Sequence, residues 1–211
     1  MDKNNTMTDF TGYLELIMGP MFSGKTSRLV EVYNQCKFCD IPVLAINHDI
    51  DNRYDQQPSI VTHDQIKIPC IKTNSLKNIW NPDIKGLSDG TCIDSQANEN
   101  CLITKYSEVI LINEGQFFND LFEVVNDMIN HGKQVYVCGL DGDFERKKFG
   151  QMFDLIPLCD KVTKLTSLCS KCKNRTPAIF SMRLTDEREQ TVIGSQNYIP
   201  VCRRCYKSPN A

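Results

Sequence analysis

Eight residues near the start of the chain, Gly19-Pro20-Met21-Phe22-Ser23-Gly24-Lys25-Thr26, match the phosphate-binding pattern G-x-x-x-x-G-K-[ST] and constrain the fold more than any other feature. Such a loop works only between a strand and a helix, because its N–H groups and the helix start must converge on one anion. The flanking residues comply. Tyr13-Leu14-Glu15-Leu16-Ile17-Met18 reads as a short, mostly apolar strand. Ser27 to Phe38 reads as a helix with Leu29, Val32, Tyr33 and Cys36 on one face. In that setting Lys25 reaches the outer phosphates of a nucleotide, and the Thr26 hydroxyl binds Mg²⁺.

The rest of the chain extends the same architecture. Ile41 to Asn47 reads as a second strand, and Glu108 to Asn113 as a fully buried parallel one. Leu121 to His131 reads as a helix closed by Gly132, and Gln134 to Cys138 as the next strand. Asn74 to Lys105 is rich in Asn, Asp, Ser and Gly around the single Trp80, and reads as an irregular excursion ordered only in part. Near Leu165 the alternation stops and a cysteine-rich tail begins. The expected fold is α/β: a phosphate-loop (RecA-like) parallel sheet flanked by helices, plus a small zinc-ribbon-like lasso domain. Expected boundaries are a disordered tail at 1–11, a nucleotide-binding domain at 12–164, a zinc-binding domain at 165–207 and a short tail at 208–211.

Composition narrows the partners. A net charge of −2 over 211 residues leaves no basic footprint for nucleic acid or an anionic membrane surface. No apolar run approaches the ~20 residues that span a bilayer, and the polar start has no signal-peptide core. A cytoplasmic protein is expected. Eleven cysteines, an odd number, in a chain of this size beside a nucleotide motif are expected to be mostly reduced.

Four of them have another use. Cys169-Ser170-Lys171-Cys172 and Cys202-Arg203-Arg204-Cys205 are two C-x-x-C knuckles, which supply four thiolates at the spacing tetrahedral Zn²⁺ requires. Four protein ligands leave no open position, so the predicted role is structural. The 29 residues between the knuckles exceed the roughly 15–20 of a minimal ribbon, so the metal must clip a long loop. A third pair, Cys36 and Cys39, lacks a partner knuckle and reads as helix-end packing.

Val109-Ile110-Leu111-Ile112-Asn113-Glu114 is an apolar strand ending in a polar pair, the position from which phosphate-loop enzymes present a metal-binding residue and a base beside the γ-phosphate. Glu114 is the candidate general base.

Taken with Asn-Glu-Gly-Gln-Phe-Phe (113–118), Leu-Asp-Gly-Asp-Phe-Glu-Arg-Lys-Lys-Phe-Gly (140–150) and Val-Cys-Arg-Arg-Cys-Tyr (201–206), the phosphate loop resembles the signature blocks of type II thymidine kinases, the cellular and poxvirus-like class. The resemblance runs from about Tyr13 to Tyr206. It implies ATP-dependent phosphorylation of the thymidine 5′-hydroxyl, with Glu114 as proton acceptor and Lys25 as the catalytic cation. It places Asp51, Asn52 and Arg53, with Asn113, Glu114, Gly115 and Gln116, on the nucleotide side. Phe144 and Tyr198 enclose the thymine ring, with Met21, Phe117, Leu140 and Phe149 as walls. Gln190, Thr191, Val192, Ile193 and Gly194 match the lasso whose backbone reads the base edge. The implied cofactors are ATP, Mg²⁺ and structural Zn²⁺; the implied assembly is a homotetramer, open to feedback by a nucleoside triphosphate.

Three positions depart from the family pattern. Asn113 stands where the family has an acidic residue, so the charge that favours Mg²⁺ is lost; the sequence predicts a raised Mg²⁺ requirement that Asn113→Asp would relieve. Lys148 replaces a proline, and 83–100 is an insertion. The alternatives are an inactive or weakened kinase fold because of Asn113, a RecA-like ATPase, or a zinc-ribbon nucleic-acid module that conflicts with the acidic balance.

Overall fold

Twelve short strands and four helices account for the regular structure of the computed structural model, which describes residues 11–50, 58–62, 64–84, 96–192 and 194–208. The nucleotide-binding part contains β1 (Tyr13–Met18), β2 (Val43–His48), β3 (Ser59–Val61), β4 (Lys67–Pro69), β5 (Ile71–Thr73), β6 (Val109–Ile112), β7 (Gln134–Gly139) and β8 (Lys161–Lys164). Six of these form one sheet in the order β5-β2-β6-β7-β1-β8. Every pairing in it is parallel.

Both faces of that sheet are covered, and strand periodicity decides which side chain goes where. In β6, Ile110 and Ile112 enter the core shared with α3 (Leu121–Asn130), while Val109 and Leu111 enter the core shared with α1 (Lys25–Phe38). A parallel strand buried on both faces therefore reads as an unbroken apolar run. From α3, Leu121, Val124, Val125 and Met128 are buried. At about 1.5–3 kcal/mol each, they outweigh the few tenths that β-branched residues cost a helix.

Boundaries differ from the sequence reading in instructive ways. Helix α1 starts at Lys25, two residues before the expected Ser27, because Gly24 at φ 84° is its N-cap and turns the loop into the helix. Gly132, at φ 76°, closes α3 as expected. The excursion after Asn74 is more regular than its composition suggests. It contains a 3-10 turn at Leu76–Asn78 and α2 (Gln96–Tyr106). Trp80 is buried there, and its indole N–H donates to Asp127 at 2.6 Å. Residues 85–95 of the insertion, 1–10 of the expected N-terminal tail and 209–211 lie outside the described residues.

Strand β8 forms one edge of the sheet, with lysines at both ends, a sequence that discourages pairing with another chain. Glu15 holds it to β1: the carboxylate accepts from Thr163 Oγ1 at 2.7 Å and pairs with Lys161 at 3.2 Å. Burial pushes the Glu15 carboxyl up, but those two partners hold it below its usual value. Beyond β8 the chain crosses to a small unit of two antiparallel ladders. In it β9 (Ser167–Leu168) pairs with β10 (Pro177–Ala178), and β11 (Phe180–Arg183) with β12 (Tyr198–Val201); α4 (Arg203–Lys207) follows. Among the described residues no helix is long and apolar enough to cross a membrane.

Candidate active site

Strands β1, β6 and β7 are neighbours, and all three deliver their carboxyl ends to one edge of the sheet, where ligands of open α/β folds bind. The phosphate loop leaves β1 there. Its backbone takes left-handed φ values at Phe22 (61°) and Gly24 (84°), and a side chain added at Gly24 would meet nothing within 4 Å. Glycine is needed at 24 for its conformation rather than for room. Ser23 Oγ is buried with no hydrogen-bond partner, and Lys25 Nζ donates to the Pro20 carbonyl at 2.8 Å. An open concavity with an orphaned hydroxyl, N–H groups and a lysine fits a chain of phosphates, and the Thr26 hydroxyl fits the metal that accompanies them.

Glu114 follows β6 at φ 54°, a left-handed turn that lifts its side chain away from the strand. Gln116 clamps it: Nε2 donates to Glu114 Oε2 at 2.7 Å while Oε1 accepts from the Leu140 N–H at 2.9 Å. Two glycines make room for that clamp. A Cβ at Gly139 would lie 2.5 Å from Gln116 Oε1, and one at Gly150 would lie 2.2 Å from the Gln116 carbonyl oxygen.

Asn113 borders the same cleft but is committed elsewhere. Its Nδ2 donates to Asn47 Oδ1 at 3.0 Å, and its Oδ1 accepts from the Cys138 thiol at 3.0 Å. Asn47 Oδ1 also takes the His48 N–H. All three side chains are buried, and burial pushes the Cys138 thiol up to about 12, so it remains a donor. Asn113 is thus the centre of a neutral buried network at the border of the cleft.

Across the cleft the turn from Leu140 to Gly150 is tied to the small unit at three points. Gln190 Nε2 donates to Asp143 Oδ2 at 2.8 Å, the Tyr206 hydroxyl donates to the Phe144 carbonyl at 2.7 Å, and the Arg183 guanidinium covers the Phe144 ring. The small unit also reaches the phosphate loop itself, where the Met21 N–H donates to Ser181 Oγ at 2.9 Å. Phe117 and Phe149 meet edge to face, 5.5 Å between ring centres.

The four cysteines of the knuckles come together in the core of the small unit. Their sulfurs lie within 4.8 Å of one another, with Cys172 at 3.7 Å from Cys202 and 3.5 Å from Cys205. Tetrahedral zinc with Zn–S near 2.3 Å requires sulfurs about 3.8 Å apart, so the donor set and its spacing fit that ion. Cys36 is buried at the end of α1 and Cys39 is exposed, and among the described residues neither joins a group of potential metal ligands.

One cleft gathers most of the residues singled out in the sequence. Met21 to Thr26, Asn113, Glu114, Gln116, Phe117, Leu140, Phe144, Phe149, Gln190 to Val192, Gly194 and Tyr198 all line it. Gly19, Pro20 and Gly115 are not among its lining residues. Asp51, Asn52, Arg53 and Ile193 lie outside the described residues. The sequence reading missed Ser181, Ile50 and Val61, which also line the cleft. Val61 comes from the β3–β4 hairpin, whose three-residue strands carry no periodic signal.

Comparison with known proteins agrees with this geometry. The family model for thymidine kinase matches residues 12–206. The thymidine kinase of Yaba monkey tumor virus is 38% identical over 201 residues, 95% of this chain and 97% of that protein. That of Choristoneura fumiferana entomopoxvirus is 38% identical over 203 residues, covering 93% and 97%. Among solved structures, domain III of the Thermotoga maritima replication initiation protein DnaA is 19% identical over 73% of this chain and 55% of that one, at a TM-score of 0.41, too loose a likeness to carry an argument. The chain belongs to the thymidine kinase family.

Proposed function

We propose that this member of the thymidine kinase family transfers the γ-phosphoryl group of ATP to the 5′-hydroxyl of thymidine in the cleft between the sheet edge and the small unit. The observation that carries the reading is the convergence on that cleft of the phosphate loop, a clamped carboxylate and the aromatic side chains of Phe117, Phe144, Phe149 and Tyr198. Each part answers one demand of phosphoryl transfer, which is won by positioning and charge stabilisation. Loop N–H groups and Lys25 hold the phosphates and offset the charge that builds on them. Glu114 accepts the proton of the 5′-hydroxyl as its oxygen attacks phosphorus and ADP leaves, and Gln116 fixes the carboxylate for that task. The Thr26 hydroxyl would hold the Mg²⁺ that accompanies the nucleotide, which would supply positive charge against that of the phosphates. Asp51, Asn52 and Arg53 are assigned to the same side.

Phe144, Tyr198, Phe117, Phe149, Leu140 and Met21 form the slot for the base, and the backbone of residues 190–194 reads its edge. Flat aromatic faces with a few fixed polar groups suit a pyrimidine. Cys169, Cys172, Cys202 and Cys205 hold a structural zinc that fixes both ends of the lasso. Product formation from ATP with single nucleosides tests the reading: thymidine is phosphorylated and deoxyguanosine is not. Equal turnover of the two would overturn it.

A further inference from the structure

Arg183, at the end of β11, has no role in the chemistry above, and it does not line the cleft. Yet all five of its N–H donors are engaged. Nη1 donates to the carbonyls of Glu187 at 2.8 Å and Glu189 at 2.6 Å. Nη2 donates to the Gln190 carbonyl at 3.2 Å and to the Tyr198 hydroxyl, which Nε also reaches at 3.2 Å. The Tyr198 hydroxyl in turn donates to the Val192 carbonyl at 3.2 Å. The guanidinium carbon stands 3.7 Å from the centre of the Phe144 ring. One planar cation therefore gathers three carbonyls of the lasso backbone, the slot residue Tyr198 and the slot residue Phe144.

Charge explains why the loop needs such a centre. Residues 184–190, Leu-Thr-Asp-Glu-Arg-Glu-Gln, are all exposed and include three acids, and their one large apolar side chain, Leu184, is 54% exposed, so they bury little apolar surface that would order them. Carbonyl oxygens of an exposed segment converge only if a multivalent donor collects them. Arginine alone combines five donors with a flat face that stacks on an aromatic ring; lysine has three donors and no plane.

We propose that Arg183 is the positioning residue of the base slot: from behind the cleft it sets the shape of the lasso and fixes Phe144 and Tyr198 against it. The consequence for nucleoside binding rests on the function proposed above. Arg183→Lys retains the charge and loses the fork and the stack; Arg183→Gln loses both. Backbone amide exchange, followed by mass spectrometry, is the first readout. Segment 186–192 exchanges at least about tenfold faster in both variants, while β1, β6 and β7 keep their protection. The second readout is kinetic: KM for thymidine rises about tenfold or more, equivalent to about 1.4 kcal/mol, with KM for ATP and zinc content unchanged and kcat within about threefold.

Unchanged exchange in 186–192 overturns the proposal. So does loss of protection throughout the sheet, or a parallel rise in both KM values, either of which makes Arg183 a general structural prop. A parent protein inert toward thymidine would sink the kinase reading, and the exchange arm would still judge Arg183.

Discussion

Restoring the family's acidic residue by Asn113→Asp is the perturbation on which sequence and structure disagree most. From sequence alone the change returns a missing negative charge and lowers the Mg²⁺ requirement. In the folded protein the new carboxylate meets Asn47 Oδ1, an acceptor already held in place by the His48 N–H, and has only the Cys138 thiol as a donor. A buried charge left without compensation costs about 3–5 kcal/mol. If the carboxyl keeps its proton, its O–H replaces the lost amide donor and the cost shrinks to about 1 kcal/mol, one neutral hydrogen bond. The folded state therefore raises this carboxyl above the ordinary value near 3.9. A raised acid binds its proton more tightly when folded, so its stability is intact at low pH and is lost as pH climbs toward the folded value. With about 2–4 °C of Tm per kcal/mol for a chain of this size, the deficit is roughly 6–20 °C at pH 8 and a few degrees at pH 5. Thermal unfolding of both proteins at the two pH values measures it, and a Mg²⁺ titration of activity accompanies it. A Tm gap under about 2 °C at both pH values, together with a lower half-saturating Mg²⁺, would show that the carboxylate turns into the cleft and that the reasoning is wrong.

Other outcomes follow from the same geometry. Glu114→Gln lowers kcat by about 10²–10⁴ and leaves KM for ATP within a factor of about two; a loss below about tenfold would show that Glu114 only positions substrate. Purified reduced protein contains one zinc per chain by elemental analysis, and Cys169→Ala loses both the metal and nucleoside affinity, because binding energy at such a site is folding energy. Unchanged zinc and activity in that variant would remove the four-cysteine site from the account.

Local signals made much of this site legible, and long-range contacts hid the rest. The phosphate loop, the apolar run of β6 and the paired knuckles each declare themselves within eight or so residues. Helix α2 does not, because Asn98, Asn100 and Thr104 are weak helix formers and Cys101 and Leu102 are its buried apolar anchors. The commitment of Asn113 depends on a partner 66 positions away, and the Met21–Ser181 contact spans 160 positions. Gln116 was placed on the nucleotide side by resemblance, but its two hydrogen bonds to Glu114 and Leu140 appear only once β6 and β7 lie side by side. Arg183 carries no motif; its importance lies in four acceptors, three lasso carbonyls and the Tyr198 hydroxyl, that only the folded lasso brings within reach.

Gly19 reads in the sequence as a phosphate-loop residue, but a Cβ on it would sit 2.5 Å from the Leu165 carbonyl oxygen, the first step of the chain toward the small unit. With Ser181 holding the Met21 N–H, the loop owes its shape to residues on both sides of the expected domain boundary. In terms of descent, the two halves are not separable cassettes. A recombinant that drew its C-terminal third from a distant relative would inherit a nucleotide loop moulded to another neighbour, so drift in either half has to be answered in the other.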